Sequence, residues 1–578
     1  MTADASDFSP LAASARSRLH TPRVTSFVSN SMSEDAGTPG RVIMAMAMFM
    51  FVYGAIALRL IDLGMADETP SSAYIGAQQA ITASRPDLVD RNGELLATDI
   101  KAPSLYAEPR KIVDVDEVID KLSSVMPELG TETIRNRLMG NAGFVWLKRE
   151  ITPRQREEIH RLGLPGIGFL TENRRFFPGG PTASHILGLV NVDEQGIAGM
   201  EKYLDGQGIA DLQKFGFATS QSMKPIALSI DVRAQHVVRD ELLKAIDRYQ
   251  AIAAIGIVLD VHTGEVVAMS SVPDFDPNDP AEALKPENLN RATAGVYEMG
   301  SVFKSFSLAM ALESGKVSMD DTVDATKPIR MGGFTINDFH GLHRPLTLPE
   351  VFVHSSNIGT ARMTMELGIP WQQEFFRRLG LLERTRTELP EVAAPLLPSK
   401  WGDLSAMTIS YGHGISVTPM QTAVAGAALV NGGYMIDPTF LPRTREEAQK
   451  TAVRVMSKRV SDQMRYLLRL NAVKGSGRNA RVPGYMVGGK TGTSEKIVNG
   501  RYVHDKRRNS FLSAFPMDDP RYVVLVTIDE PKPEEGKHYA TAGYNTAPVV
   551  SKIIARIAPM LGVVPHVTED SDKMLVSY

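Results

Sequence analysis

The run VIMAMAMFMFVYGAIAL, from Val42 to Leu58, holds 17 residues and no charge, which is near the short end of what spans a bilayer as a helix. A chain carrying it must bury that stretch in a large core or place it in lipid. Leu60 and Ile61 extend it if the Arg59 head snorkels to the interface. A secretory signal has a shorter apolar region closer to the N-terminus. Here 41 residues precede it, so the expectation is an uncleaved membrane helix over 42–61. Those 41 residues contain four Arg and four acidic residues, and Arg23 and Arg41 stand against Arg59 and Arg85 beyond the run, so charge asymmetry leaves orientation open. Rich in Ser, Ala, Thr and Asp without apolar periodicity, residues 1–41 read as a disordered tail.

The remainder is long enough for a sizeable core. The 578 residues suggest two to four folding units. With 43% hydrophobic and 22% charged residues, the composition is that of ordinary globular domains rather than of a multi-spanning or disordered chain. The 63 basic and 66 acidic residues leave a net charge of -3, which removes the electrostatic case for a nucleic-acid partner. The chain has no Cys, which excludes disulfides, thiolate zinc sites, iron–sulfur clusters and thiol nucleophiles. It also has no H-E-x-x-H or similar ligand spacing, so neither metal nor cofactor is expected.

Two textures follow the anchor. A polar stretch to about Ser84 leads into RPDLVDRNGELLATD, where Asn92-Gly93 between apolar pairs predicts a hairpin turn. Asp114 to Met126 reads as an amphipathic helix, and the Pro-Gly-Gly-Pro run in FFPGGPTASHILGLVN must be loop. From about Lys224 the pattern changes. Ile252–Asp260 and Glu265–Ser271 predict one hairpin, Ser510–Pro516 and Arg521–Ile528 another. Apolar helical stretches lie between them at Phe303–Leu312, Pro419–Leu429 and Val460–Leu470, with a last helix at Ala547–Ile557. Two hairpins at opposite ends of one region, with helices between and after, predict an α+β domain: an antiparallel sheet flanked by helices. The expected division is 1–41 tail, 42–61 transmembrane helix, 62–223 mixed pedestal, 224–562 catalytic domain and 563–578 C-terminal tail.

Inside that domain three short motifs occur in order: Ser301-Val302-Phe303-Lys304, Ser355-Ser356-Asn357 and Lys490-Thr491-Gly492-Thr493. Each alone has a bland reading. Ser301 would be an N-cap, Lys304 a solvated helix face, Ser355-Ser356-Asn357 a turn, and Lys490-Thr491-Gly492 a strand end. Together and in this order they match the signature of penicillin-binding proteins and class A β-lactamases. Ser301 follows Gly300 and opens an apolar helix, where the dipole favours an oxyanion. Lys304 lies one turn on and can reach the Ser oxygen. Held near a second ammonium, Lys490, and partly desolvated, it should have a lowered pKa and take the Ser proton. Ser355 and Asn357, at alternating positions, are expected to face the cleft together, the hydroxyl as proton relay and the amide to orient a substrate. Lys490, Thr491 and Thr493 supply charge and hydroxyls for a substrate carboxylate, and Gly492 keeps the strand open to a substrate backbone. The backbone N–H groups of Ser301 and Thr493 are the candidate oxyanion hole. Of the 12 His, His413 in SYGHGISVTP reads as a packed loop residue rather than a base, and Lys506-Arg507-Arg508 as a solvated loop.

On these motifs, and on DRNGELLA (Asp90–Ala97), RRFFPGGPTASHILGLVN, GIAGMEKYLD, LDVHTGEVVAM, NRATAGVYEMGSVFK, VHSSNIGTARM and YGHGISVTPMQTA, the chain resembles class B penicillin-binding proteins along nearly everything beyond the anchor. Within them it is most similar to the division-specific peptidoglycan D,D-transpeptidases. Met299 stands where many relatives have Pro, and His413 where many have Gln. The resemblance implies a serine acyl-enzyme that cross-links stem peptides and releases terminal D-alanine, is acylated by β-lactams and needs no cofactor. It implies a cytoplasmic tail, one inner-membrane helix and a periplasmic body at the septum, with a SEDS-family glycosyltransferase and other divisome proteins as partners. No long glycosyltransferase region precedes the pedestal, which argues against class A.

Rival readings make distinct demands. A β-lactamase needs a deacylating Glu, normally in E-x-x-L-N between the second and third motifs. None occurs there, and Glu287-Asn288-Leu289-Asn290 is one residue short and precedes Ser301. A carboxypeptidase or endopeptidase shares the motifs but not the anchor with a large pedestal. An elongation-specific sibling would differ mainly in partners. A scaffold that only activates a SEDS glycosyltransferase has no need of Lys304 and Lys490.

Overall fold

The computed structural model describes residues 39–65, 84–207, 224–498, 500–536, 539–566 and 575. The expected tail falls outside them except for its last three residues, which already belong to a helix. That helix, α1, runs Pro39–Met65 over 27 residues, about 40 Å at 1.5 Å per residue. It contains an apolar span, Ile43–Leu60, long enough to cross a membrane.

The body begins with β1 (Leu88–Val89) and β2 (Leu95–Ala107), an antiparallel pair around the predicted turn. Gly93 takes φ 87°, a conformation that favours glycine. Asp90 holds the turn, its Oδ1 accepting from Asn92 N (2.7 Å) and Glu94 N (2.9 Å). The 13-residue β2 organises the pedestal sheet: β1 pairs with its start at Leu95–Ala97, β3 (Val145–Lys148) with its end at Leu105–Ala107, β4 (Ile167–Phe176) along Thr98–Ala107, and β1 continues in parallel to β5 (Ile226–Ala227). Helix α2 (Val115–Val125) has the predicted amphipathic character. Asp114 caps it, and Val118, Ile119 and Leu122 pack with Leu105, Leu147 and Ile159. A buried ionic cluster joins distant segments. Glu201, on α3 (Gly199–Gly206), accepts from Arg85 Nε (2.8 Å) and Arg175 Nε (2.7 Å), and Arg175 also pairs with Asp99 (3.0 Å).

The catalytic region carries one five-stranded antiparallel sheet of β6 (Ala253–Asp260), β7 (Val266–Val272), β8 (Gly488–Val498), β9 (Arg501–Phe515) and β10 (Tyr522–Asp529). The order is β8-β9-β10-β6-β7, so the two predicted hairpins join through β10 and β6. β6 and β10 are apolar for most of their length instead of alternating because both sheet faces are covered. On one side α4 (Val232–Tyr249) and α9 (Thr546–Met560) bring Val238, Leu242, Val550 and Ile554 against Ala254, Val258, Val524 and Val526. On the other, α5 (Phe303–Glu313), α6 (Asn357–Leu367), α7 (Pro419–Ala428) and α8 (Lys458–Lys474) share a core with Ile255, Ile257 and Leu525. Every residue of α5 from Phe303 to Leu312 is buried.

One expectation is overturned here. Lys506-Arg507-Arg508 is not a loop: β8 and β9 run on past the apolar part of the sheet as a paired arm, with Arg507 opposite Glu495 and Arg508 opposite Ser494. Arg508 pairs with Asp529 (3.0 Å) and lies over the Tyr297 ring (3.9 Å), so it is a packed strand residue.

Candidate active site

Ser301 sits on the 3₁₀ turn Gly300–Val302, just before α5 rather than within it. Gly300 bends the chain at φ 53° and donates its N–H to Gly412 O (3.2 Å). One turn on, Lys304 is fully buried; its Nζ donates to Ser301 Oγ (3.1 Å), to Ser355 Oγ (3.0 Å) and to the Ser355 carbonyl. Lys490, also fully buried, reaches the same hydroxyl, with Nζ donating to Ser355 Oγ (3.0 Å) and Thr491 O (3.1 Å). The three motifs thus meet at one point: Ser355 Oγ lies between the two lysines, and Lys304 lies between two serines.

Burial sets the charge state. Desolvation first, and the neighbouring Lys490 second, push the Lys304 pKa well below the ordinary lysine value, with Asp338 pulling the other way. Burial brings Lys490 down to about 7. Two ammoniums sharing one hydroxyl in a dry site cannot both stay charged cheaply, so near neutral pH the pair holds fewer than two protons. A neutral Lys304 is a base 3.1 Å from the Ser301 oxygen, within the reach general-base chemistry requires.

Ser355 owes its position to strained backbone. It takes φ 57°, uncommon for a residue with a side chain, in the turn before α6. Asp338 anchors that turn, a residue with no motif to reveal it in sequence. It accepts from Ser356 Oγ (2.7 Å) and from Ile358 N (3.0 Å), while Ser356 caps α6 by accepting from Gly359 N (2.9 Å). Asn357 departs from expectation. It begins the helix instead of alternating with Ser355 along an extended segment, and its amide donates to Asn337 O (2.8 Å) without a hydrogen bond to Ser301, Lys304 or Lys490 among the described residues.

Lys490, Thr491, Gly492 and Thr493 lie on β8, the edge strand of the sheet, whose outer side is open to strand addition. The Thr491 hydroxyl lies 2.5 Å from Ser476 Oγ, and Thr493 Oγ1 accepts from Ala542 N (3.4 Å). Gly492 has a second reason to be glycine: a Cβ there would fall 2.2 Å from Met299 O, inside the nucleophile turn. Thr493 lies equally close, since a Cβ on Gly300 would stand 2.6 Å from its carbonyl oxygen. The candidate oxyanion donors, Ser301 N and Thr493 N, therefore belong to segments in direct contact. His413 packs in the loop beyond Gly412 between Tyr411 and Tyr502, and burial and nearby Lys304 lower it to about 4, so it is neutral near pH 7.

Comparison with known proteins gives a consistent result. Residues 254–555 match the family described as "Penicillin binding protein transpeptidase domain", and residues 80–209 match "Penicillin-binding Protein dimerisation domain". The chain is 38% identical to the probable peptidoglycan D,D-transpeptidase FtsI of Caulobacter vibrioides, over 90% of this chain and 89% of that protein. It is 30% identical to the peptidoglycan D,D-transpeptidase FtsI of Escherichia coli K12, over 92% and 93% of the two chains. It is also 30% identical to the stage V sporulation protein D of Bacillus subtilis, over 90% and 86%. Among solved structures, penicillin-binding protein 3 of Mycobacterium tuberculosis, in complex with aztreonam, superposes with a TM-score of 0.63 at 25% identity, covering 84% of this chain and 98% of that one.

Proposed function

The chain belongs to the penicillin-binding protein transpeptidases, and from that premise we propose that it cross-links peptidoglycan stem peptides at the division septum through an acyl-enzyme on Ser301. Its class is that of a serine D-Ala-D-Ala transpeptidase. The observation that carries the mechanism is the fully buried Lys304, 3.1 Å from Ser301 Oγ and 3.0 Å from Ser355 Oγ.

The reaction divides into two displacements. Lys304 takes the Ser301 proton as Oγ attacks the penultimate D-Ala carbonyl, and Ser301 N with Thr493 N face the developing oxyanion. Collapse breaks the D-Ala–D-Ala amide. The leaving amine takes a proton relayed through Ser355, whose hydroxyl touches both lysines. An acceptor stem-peptide amine then attacks the Ser301 ester, a new amide forms, and Oγ recovers its proton. Lys490, Thr491 and Thr493 hold the donor carboxylate, Gly492 lets the donor lie along β8, and Asn357 orients the donor amide after turning from Asn337.

The same geometry supports covalent inhibition by β-lactams, whose strained amide stands in for D-Ala–D-Ala; the aztreonam-bound relative agrees with it. The septal role and the periplasmic body rest on the FtsI relatives, and α1, the one membrane-length apolar helix among the described residues, supports a single-pass inner-membrane protein. We keep the division into pedestal 62–223 and catalytic domain 224–562, with SEDS and divisome proteins docking on the membrane helix and pedestal. Mass mapping of a fluorescent penicillin adduct should place it on Ser301, and Ser301→Ala should abolish labelling with folding intact; an adduct on another serine overturns the assignment. A fluorescent fusion should collect at the septum, and side-wall labelling would make the protein an elongation enzyme.

A further inference from the structure

Three residues ahead of Ser301, the buried carboxylate of Glu298 bridges the loop that carries His413 and the outer arm of β9. Its Oε1 accepts from Gly414 N (2.8 Å), in the loop that carries His413, and from Tyr502 OH (2.8 Å), on the outer arm of β9. Its backbone carbonyl accepts from Ser494 Oγ (2.7 Å), one residue past Thr493 on β8. Its other oxygen, Oε2, is buried and without a hydrogen-bond partner, as is His413 Nδ1, whose ring lies 6.0 Å from that of Tyr502.

A buried carboxylate with one bare oxygen and no ion pair among the described residues is costly to fold. Glu298 sits in a contact already tight, because Met299 and Gly300 touch Gly492 and Thr493 with no room for a Cβ. The arm itself has little apolar packing to hold it: Ile497 and Tyr502 are exposed, and its register shifts between Glu495 and Lys496. Arg508 over Tyr297 and Ser494 on the Glu298 carbonyl hold the inner part of the arm to the segment before Ser301, and the Tyr502–Glu298 bond extends that hold to its outer part.

We propose that Glu298 and Tyr502 form a positioning pair for acylation, clamping the β8–β9 arm and the Gly412–Gly414 loop to the nucleophile turn so that Thr493 N is held where the oxyanion develops. Neither residue touches the reacting atoms; the pair acts through Thr493 and Gly300. The inference rests on the reading of Ser301 as the nucleophile.

The test is stopped-flow acylation of the full chain in detergent by a fluorescent penicillin, separating the binding constant from the acylation rate, for Tyr502→Phe, Glu298→Gln and the double variant. Tyr502→Phe removes one oxygen from a partly exposed ring, so it reports even if Glu298→Gln does not fold. The expected result is an acylation rate lower on the order of tenfold in each single variant, binding within about twofold, and a double variant no slower than the slower single one. A wild-type acylation rate in Tyr502→Phe, a loss confined to binding, or additive losses would each overturn the pair. Ser301→Ala in the same series keeps the readings apart: labelling that survives it refutes the nucleophile, whereas labelling abolished there with Tyr502→Phe at the wild-type rate refutes only the clamp.

Discussion

Replacing Lys490 with Met should make the catalytic domain harder to unfold while disabling it. Lys490 is completely buried, and its pKa falls from an ordinary 10.5 to about 7. At ~1.4 kcal/mol per factor of ten, the charged form is disfavoured in the fold by on the order of 5 kcal/mol relative to the unfolded chain. Met removes that cost with a side chain of similar length and reach. It also strips Thr491 O of its donor, which returns about 1–3 kcal/mol; Ser355 Oγ still has Lys304. The net gain is about 2–4 kcal/mol at neutral pH, several degrees in melting temperature at roughly 2 °C per kcal/mol for a domain this large. The pH dependence identifies the cause. Because the folded pKa lies below the unfolded one, the unfolded chain holds a proton that the fold has released between about pH 7 and 10.5, and wild-type stability rises across that window. The advantage of Lys490→Met should be full at and below pH 7 and gone by about pH 10.5. Thermal unfolding of both full-length proteins in detergent across that range measures it. A variant that melts lower at every pH would show that the lysine is held by its partners rather than penalised by burial, and the argument for a neutral Lys304 beside it would fall too.

Lys490 and Asp338 push the Lys304 pKa in opposite directions. The acid limb of the acylation rate should therefore move to higher pH in the residual activity of Lys490→Met and to lower pH in Asp338→Asn; shifts of the same sign would contradict the charge arrangement. Lys304→Met should lose on the order of 10²–10⁴ in acylation rate, whereas Lys490→Arg, which keeps the charge, should retain part of it; equal total loss in both would show the two roles wrongly divided. In the pedestal, Glu201→Ala leaves Arg85 and Arg175 buried without their shared carboxylate and should cost about 3–5 kcal/mol, read as a lower pedestal melting temperature with the penicillin acylation rate unchanged. Without a deacylating Glu, the penicillin adduct should persist for many minutes, and rapid steady-state hydrolysis by purified protein would refute this.

Much of the catalytic domain is legible in its sequence because a doubly covered sheet writes itself as unbroken apolar runs, as in Ile252–Asp260 and Arg521–Ile528, separated by turn residues. The three motifs are legible because their chemistry confines the residue types. What escaped has other causes. The arm through Lys506, Arg507 and Arg508 leaves the core, so its faces are largely solvent-exposed and no apolar period of two marks Lys506-Arg507-Arg508 as strand. Asn357 alternates with Ser355 on paper, but Ser356 caps a helix there, and a cap needs only the Asp338 carboxylate brought from 18 residues away. Asp338 and Tyr502 stand in no motif, and Glu298 lies in a family-like segment that does not reveal its partners. Each matters through a partner that only folding brings near.

The depth of α5 also bears on how such an enzyme can change under a drug. From Phe303 to Leu312 the helix offers no surface, and Lys304 and Lys490 have none either. A substitution that alters these groups meets packing on every side and strikes the natural substrate and the inhibitor alike. Variants that admit one and refuse the other must arise where side chains still reach solvent, around Asn357, Tyr502 and the outer edge of β8. Selection for antibiotic tolerance is thereby steered to the rim of the cleft, while its floor is held nearly fixed.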